Sequence, residues 1–362
     1  MNDSSDSKSS GRRDFLTGKT ALNRLREGVD ATSPREVPTS GHTVRMTQRA
    51  MACEFSVIMN AGVPTSRVED CSYALNLVSE LEQQMSVYRD DTELTELNHH
   101  ADESPVAVEA RLFELLCKAK SISKATGCAF DPTSGPLVTL WRACREELRI
   151  PTQEEIDRCL EIVGVDHVEL DTQNKMVQFD RTGIELNLGG IGKGYALDRA
   201  AEELTSRGLD EWLLHGGQSS LLARGGHNEL AGWPVGIGNP LFTGKRLGTI
   251  LLANKAMATS GSNVQYFRHQ GKKYGHILDP RTGWPTETMI SVTVLADTAA
   301  EADALSTAFY VMGVEKAKAY CDNAGIGAVL IPYPDGRQLE PVVVGIPDEH
   351  VFLDAEQIAS SS

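Results

Sequence analysis

The chain has 362 residues, enough to bury a sizeable core, and its 35 basic against 50 acidic residues leave a net charge of −15. That balance argues against nucleic acid or an anionic membrane as a partner and makes any phosphate site a local feature. The seven cysteines are odd in number, widely spread and never in a CxxC pair, so most read as small buried hydrophobes and not as a zinc cluster or disulfide framework.

Residues 1–40, rich in Ser, Asp, Arg and Pro, bury too little apolar surface to offset their ordering entropy and are expected to form a disordered tail. Within them "GRRDFLTGK" is similar to a twin-arginine export signal, but the "TALNRLREGVD" that follows is charged where such a signal needs a long apolar region. The expectation is a cytoplasmic protein, with export through a degenerate twin-arginine signal as the alternative. No stretch approaches the roughly 18 to 20 apolar residues of a transmembrane segment. One large domain is expected over residues 41–345, with an extension over 346–362.

From Thr65, the spacing of Val68, Cys71, Leu75, Val78, Leu81 and Met85 predicts a helix. A second carries Leu112, Leu115, Leu116, Ala119 and Ile122 on one stripe and stops at Gly127. Thr152 with Glu155 forms a capping box that opens a third, which Gly164 stops. The period then changes. "HVELD" and "MVQFD", joined by "TQNK", read as a hairpin, "GIELNLGG" as a strand, and "EWLLHGGQSSLLARG", "WPVGIGNP" and "LGTILLA" as further sheet. Their short connections favour antiparallel pairing, so the fold class is α+β, with a mostly antiparallel sheet flanked by helices.

"NLGGIGKGYALDRA", from Asn187 to Ala200, fails as a P-loop because Asn187 takes the slot of the first glycine and Gly194 that of the final Ser or Thr. It fails as a dinucleotide fingerprint on the spacing of Gly190, Gly192 and Gly194. Two readings stay open on this stretch alone. Its glycines and a helix from about Tyr195 form an anion cradle with Lys193 as a point charge, or they form a tight turn with Lys193 solvated.

Two later stretches bear on the choice. "YGHILDPRTGWP" displays His276, Asp279 and Arg281 on one turn stiffened by Pro280 and ended by Gly283. "DTAAEADALSTAFYVMG" opens with a Thr298/Glu301 capping box and carries Leu305, Phe309 and Met312 as its core stripe. Asp303 and Thr307 lie one turn apart on roughly the opposite face. Because this helix is small and apolar nearly all round, it is expected to be buried, and Asp303 then needs a partner. A carboxylate and a hydroxyl at i and i+4 offer two oxygen ligands to Mg²⁺.

"MSVYRDDTELTELN", "FDPTSGPLVTLW", "LGGIGKGYALDRA", "AMATSG", "GHILDPRTGWP" and "TAAEADALSTAFYVMG" resemble, in order and spacing, the motifs of the ApbE family of FAD:protein FMN transferases, from about residue 45 to 340. The resemblance implies an enzyme that uses Mg²⁺ and FAD. It moves FMN to a Thr or Ser hydroxyl of an acceptor protein and releases AMP. Carried over by position, Gly192 (through its carbonyl), Asp303 and Thr307 hold the metal, and His276 is the catalytic base, acting with Asp303. Gly190 and Lys193 serve the FAD pyrophosphate, and Met51, Tyr88, Asp131, Thr259, Asp279 and Arg281 line the flavin pocket.

The chain departs from the family at Gly192 (usually Ala), Asn187 (usually Asp), Gln218 in "HGGQ" (usually GGD) and "MACEF" (usually MGT-like, with Ala52 and Cys53 altered). The lost carboxylates leave two alternatives to transfer: metal-dependent hydrolysis of FAD to FMN and AMP, or an inactive paralogue that binds FAD.

Overall fold

The computed structural model describes residues 41–242, 244–261, 266–334 and 338–354, so the expected tail and its export signal lie outside the described residues. The strands β1 (Thr43–Ala50) and β2 (Cys53–Asn60) form a hairpin whose two-residue turn, Met51–Ala52, has φ of +50° and +57°. That is the left-handed conformation such turns demand, usually met by Asn-Gly.

Helices α1 (Ser66–Met85), α2 (Glu93–His100), α3 (Ala110–Ala125), α4 (Gly135–Glu146) and α5 (Gln153–Leu160) follow, with the short strand β3 (Val106–Ala107) between α2 and α3. α1 buries the expected stripe except Val68, which is exposed in its first turn. α5 carries the full Thr152/Glu155 capping box. It ends at Leu160 and not at Gly164, whose φ of +147° instead opens a short 3₁₀ turn.

The hairpin β4 (Val168–Asp171) and β5 (Met176–Phe179) pairs as expected, with β3 on its other side. "GIELNLGG" is not a strand. It buries Ile184, Leu186 and Leu188 alternately, but its backbone bonds go elsewhere. The Leu186 N–H donates to Asn98 Oδ1 (2.8 Å), the Asn187 N–H to the Pro132 carbonyl (2.7 Å), and the Glu185 carbonyl accepts from Gly135.

The remaining elements are α6 (Gly192–Ser206), β6 (Trp212–Gly216), β7 (Ser220–Arg224), β8 (Trp233–Gly238), β9 (Arg246–Leu252), β10 (Ala256–Gly261), β11 (Tyr266–His269), β12 (Lys272–Gly275), β13 (Met289–Ala296), α7 (Ala299–Met312), α8 (Val314–Ala324), β14 (Gly327–Pro332), β15 (Val342–Val344) and β16 (Val351–Leu353). An eight-stranded antiparallel sheet runs β1-β2-β6-β7-β10-β13-β14-β15, and β16-β9-β8 form a separate three-stranded sheet. Segment 346–354 thus joins the body, with Phe352 buried and β16 paired to β9.

Period-two alternation makes the large sheet two-faced. Leu214, Leu222, Ala258, Val292, Val294 and Leu330 face the core shared with α1, α6 and α7. Their neighbours Leu213, Leu221, Met257, Val329 and Ile331 pack with Trp233, Val235 and Ile250 of the small sheet. The three layers are helices, large sheet and small sheet. Among the described cysteines all are free thiols, of which Cys71, Cys144 and Cys321 are buried and the other four half-buried. No helix among the described residues is long and apolar enough to cross a membrane.

Candidate active site

The site is built where α6 crosses α7. α6 begins at Gly192 and not near Tyr195, because the Tyr195 N–H already donates to the Ile191 carbonyl (3.0 Å) and draws Gly192-Lys193-Gly194 into the first turn. At Gly194 a Cβ would lie 2.1 Å from the Ala299 carbonyl oxygen, so the crossing requires glycine. The Gly194 N–H, one of the orphan donors of a helix start, donates to Asp303 Oδ2 at 3.1 Å. The other carboxylate oxygen accepts from Ser220 Oγ at 3.2 Å, and Lys193 Nζ lies 3.9 Å from Oδ2. Asp303, only 5% exposed, thus has the partners its burial demands.

Thr307 follows one turn on, with its Oγ1 3.3 Å from Ser260 Oγ, which also meets Ser306 Oγ at 2.8 Å. A Cβ on Gly190 would lie 3.6 Å from Thr307 Oγ1, so the glycine loop runs against this hydroxyl. Gly190, Lys193, Asp303 and Thr307 are therefore brought together, with Gly192 buried between them in sequence. A Cβ at Gly192 would make only ordinary contacts, 3.9 Å to Leu188 and 4.0 Å to Met85, so the family's usual alanine fits there.

Thr298 caps α7, accepting from the Glu301 N–H at 3.3 Å. The next two donors go to a residue the sequence did not single out: Asp198 of α6 accepts from Ala299 (2.7 Å) and Ala300 (3.0 Å), and burial pushes its carboxyl pKa up. Its one signal was position, one turn after Gly194 and so on the face that meets α7.

Asp131, expected on the pocket wall, is buried. Its buried carboxylate accepts from the Thr133 N–H and hydroxyl, the Val165 N–H and Ser123 Oγ. Burial pushes its pKa up and these bonds oppose the rise. The same loop presents Phe130, 3.3 Å from where a Gly190 Cβ would sit. Asn187 Oδ1 accepts from the Gly189 N–H at 2.9 Å, a local turn bond for which an amide serves as well as a carboxylate.

His276 is exposed and directly follows β12. Beyond it, the Asp279 carbonyl accepts from Thr282 and Gly283, and Arg281 grips the Asp279 carboxylate with both arms at 2.8 Å. Trp141 Nε1 donates to the Gly283 carbonyl at 2.8 Å and fixes this loop to α4. Thr259 Oγ1 meets Thr293 Oγ1 at 2.9 Å across β10 and β13. Tyr88 is 72% exposed, with the Arg142 guanidinium 5.6 Å from its ring, and Met51 sits in the strained β1–β2 turn.

That turn also joins two departures from the family pattern. A Cβ on Gly217 would lie 3.3 Å from Cys53 Sγ, and the Gly217 N–H donates to the Glu54 carbonyl, so "MACEF" and "HGGQ" pack on each other. Burial pushes the Cys53 thiol pKa up, while the nearby Lys193 charge lowers it.

Among the described residues no three His, Cys, Asp or Glu side chains converge on a metal position. The Asp303 carboxylate, with Ser220 Oγ on it and the Ser260, Ser306 and Thr307 hydroxyls bonded to one another one turn along α7, offers oxygen donors and no Cys or His. Such a set fits Mg²⁺, which takes few protein ligands beside phosphate, and not zinc.

The ApbE family model matches residues 43–330. The FAD:protein FMN transferase of Haemophilus influenzae is 32% identical over 263 residues, 70% of this chain and 76% of that one. That of Treponema pallidum is 32% identical over 294 residues, 77% and 80%. Among solved structures, the flavin transferase ApbE from Vibrio cholerae aligns with a TM-score of 0.73 at 27% identity over 84% of this chain and 97% of that one. The ApbE protein from Thermotoga maritima aligns with 0.75 at 29% identity over 83% and 97%.

Proposed function

The chain belongs to the ApbE family, and from that premise we propose that it is a FAD:protein FMN transferase that acts with Mg²⁺ on a Thr or Ser hydroxyl of an acceptor protein. The observation that carries this reading is the node at Asp303, where the first turn of α6, Lys193 and the Ser220 hydroxyl meet around one buried carboxylate one helical turn before Thr307. Asp303, Thr307 and the Gly192 carbonyl would hold the metal. Bound there, Mg²⁺ supplies neutralisation of charge on the pyrophosphate and on the departing AMP.

The chain's own residues do the rest. The glycine loop at Gly190 and the Lys193 ammonium bind the pyrophosphate of FAD. Arg281, locked to Asp279, is a rigid fork beside the pocket, and Met51, Tyr88 and Thr259 contribute to its flavin side. His276 accepts the proton of the attacking hydroxyl as its oxygen bonds to the FMN phosphorus. The bond from that phosphorus to the bridging oxygen breaks, and AMP leaves with the oxygen. The local turn bond of Asn187 favours retained chemistry despite the missing charge.

The test is intact-mass analysis of a threonine peptide incubated with the protein, FAD and Mg²⁺. Addition of an FMN phosphoester is the expected result. AMP with an unmodified peptide would mean hydrolysis, and uncleaved bound FAD an inactive paralogue.

A further inference from the structure

A hydroxyl carries one proton, so in a chain of bonded hydroxyls every donor is assigned once one end is fixed. Beside Asp303 that end is a carbonyl. Ser306, fully buried in α7, donates its Oγ proton to the Asp303 carbonyl at 2.8 Å, and a carbonyl only accepts. Ser306 Oγ also meets Ser260 Oγ at 2.8 Å, and with the Ser306 proton committed, Ser260 is the donor in that bond. Ser260 Oγ in turn meets Thr307 Oγ1 at 3.3 Å, the longest link, and because the Ser260 proton is committed as well, Thr307 donates there. The chain runs in one direction, from Thr307 to Ser260 to Ser306 to the Asp303 carbonyl.

Helix geometry does not impose this arrangement. A helical threonine ordinarily gives its proton to the carbonyl three or four residues back. For Thr307 the carbonyl four back is that of Asp303, which Ser306 already takes. Ser260, on the face of β10 that Ala256 and Ala258 turn to the core, receives the Thr307 proton instead. Thr307 is half-buried, and the glycine loop runs against its hydroxyl, a Gly190 Cβ lying 3.6 Å from Oγ1. An oxygen that ligates a cation must offer a lone pair and keep its proton turned away, and the chain gives Thr307 Oγ1 that orientation.

We propose that Ser260 and Ser306 are positioning residues for the metal: the directed chain turns the Thr307 proton towards β10 and keeps the lone pairs of Oγ1 for Mg²⁺. This rests on the transferase reading, in which Asp303 and Thr307 hold the ion. The chain ends on the backbone of Asp303, so the two residues that supply side-chain ligands are tied through three hydroxyls and one strand, the support from behind that a metal site needs.

The experiment titrates Mn²⁺, which shares the oxygen preference of Mg²⁺ and is read by the EPR signal of the free ion, into the full chain without FAD. Ser260→Ala should weaken binding about tenfold, the lower end of what loss of an outer partner costs a metal site. Ser306→Ala removes the acceptor of the Ser260 proton, which then turns onto Thr307 Oγ1 and competes for a lone pair, so binding should weaken there too, by less. In Thr307→Val, which keeps the shape and lacks the hydroxyl, Ser260→Ala should have no further effect. Urea melts establish that each variant folds, and Ser306→Ala serves alone if Ser260→Ala does not.

Unchanged Mn²⁺ affinity in Ser260→Ala or in Ser306→Ala overturns the proposal. A tenfold loss from Ser260→Ala that persists in Thr307→Val also overturns it, because the serine would then act on the fold and not through the threonine. So does a wild type that binds no Mn²⁺. Binding is read without turnover, so a wild type that shows these dependences but leaves FAD and a threonine peptide unreacted refutes the transferase reading and not the hydroxyl chain.

Discussion

Gly192 and Gly194 sit two residues apart in the first turn of α6, yet alanine should act in opposite directions at the two. Helix propensity alone favours alanine over glycine by up to about 1 kcal/mol, less at a helix end. At Gly192 the new Cβ meets nothing closer than 3.9 Å, so Gly192→Ala should be neutral or slightly stabilising. At Gly194 the Cβ would stand 2.1 Å from the Ala299 oxygen, 2.4 Å from its carbon and 2.7 Å from the Ala300 nitrogen, against an ordinary contact of 3.4 Å or more. All three atoms are backbone, so α6 and α7 must part by more than an ångström.

Overpacking of this kind costs about 1–3 kcal/mol, and loss of an N-terminal cap about 1 more. The cap at risk is Asp198 on Ala299 and Ala300, and the Gly194–Asp303 bond stretches with it. The net expectation for Gly194→Ala is about 3 kcal/mol of destabilisation, a fall in Tm of about 5 °C for a domain of roughly 300 residues. Thermal and urea melts of both variants decide it. A Gly194→Ala protein as stable as wild type would refute the described crossing, and with it the placement of Asp303.

Other outcomes are equally specific. Ala52→Gly should stabilise by about 0.5–1 kcal/mol in urea melts, because it removes the left-handed strain at φ +57° while adding some unfolded-state entropy. Glu155 is held at a pKa of about 2, first by the Arg149 guanidinium and then by the Thr152 N–H. A depressed carboxylate contributes stability above its unfolded value and loses it as the pH falls. Glu155→Gln should therefore lower stability at neutral pH, and the difference should close as the pH drops from 4.5 towards 2. A gap that stays constant through that window would refute the assignment.

What could be read from sequence was whatever local chemistry determines. The Thr152/Glu155 box, the stop at Gly127 and the burial of Asp303 on an alanine-rich helix each follow from neighbours within a turn. What could not be read depended on distant partners. "GIELNLGG" has the alternation of a strand, but Asn98, nearly ninety positions away, takes its backbone bonds. That Ser123 and Val165 donate to Asp131 is not legible in its neighbourhood either. Nothing near Gly194 announces that Ala299 will press against it, and nothing near Ser220 that its hydroxyl will meet Asp303. Gly190, Lys193, Asp303 and Thr307 were legible as separate motifs, and the crossing of α6 with α7 is what brings them together.

If the buried Asp303 node drives cleavage of FAD towards an acceptor, the release of AMP depends on it. The most direct measurement is AMP release from FAD by wild type and by Asp303→Asn, with and without Mg²⁺, in the presence and absence of a threonine peptide. AMP should require both Mg²⁺ and peptide, be matched one for one by flavinylated peptide and be lost in Asp303→Asn. AMP release that is unchanged by Asp303→Asn, or FAD that stays bound and intact under every condition, would contradict it.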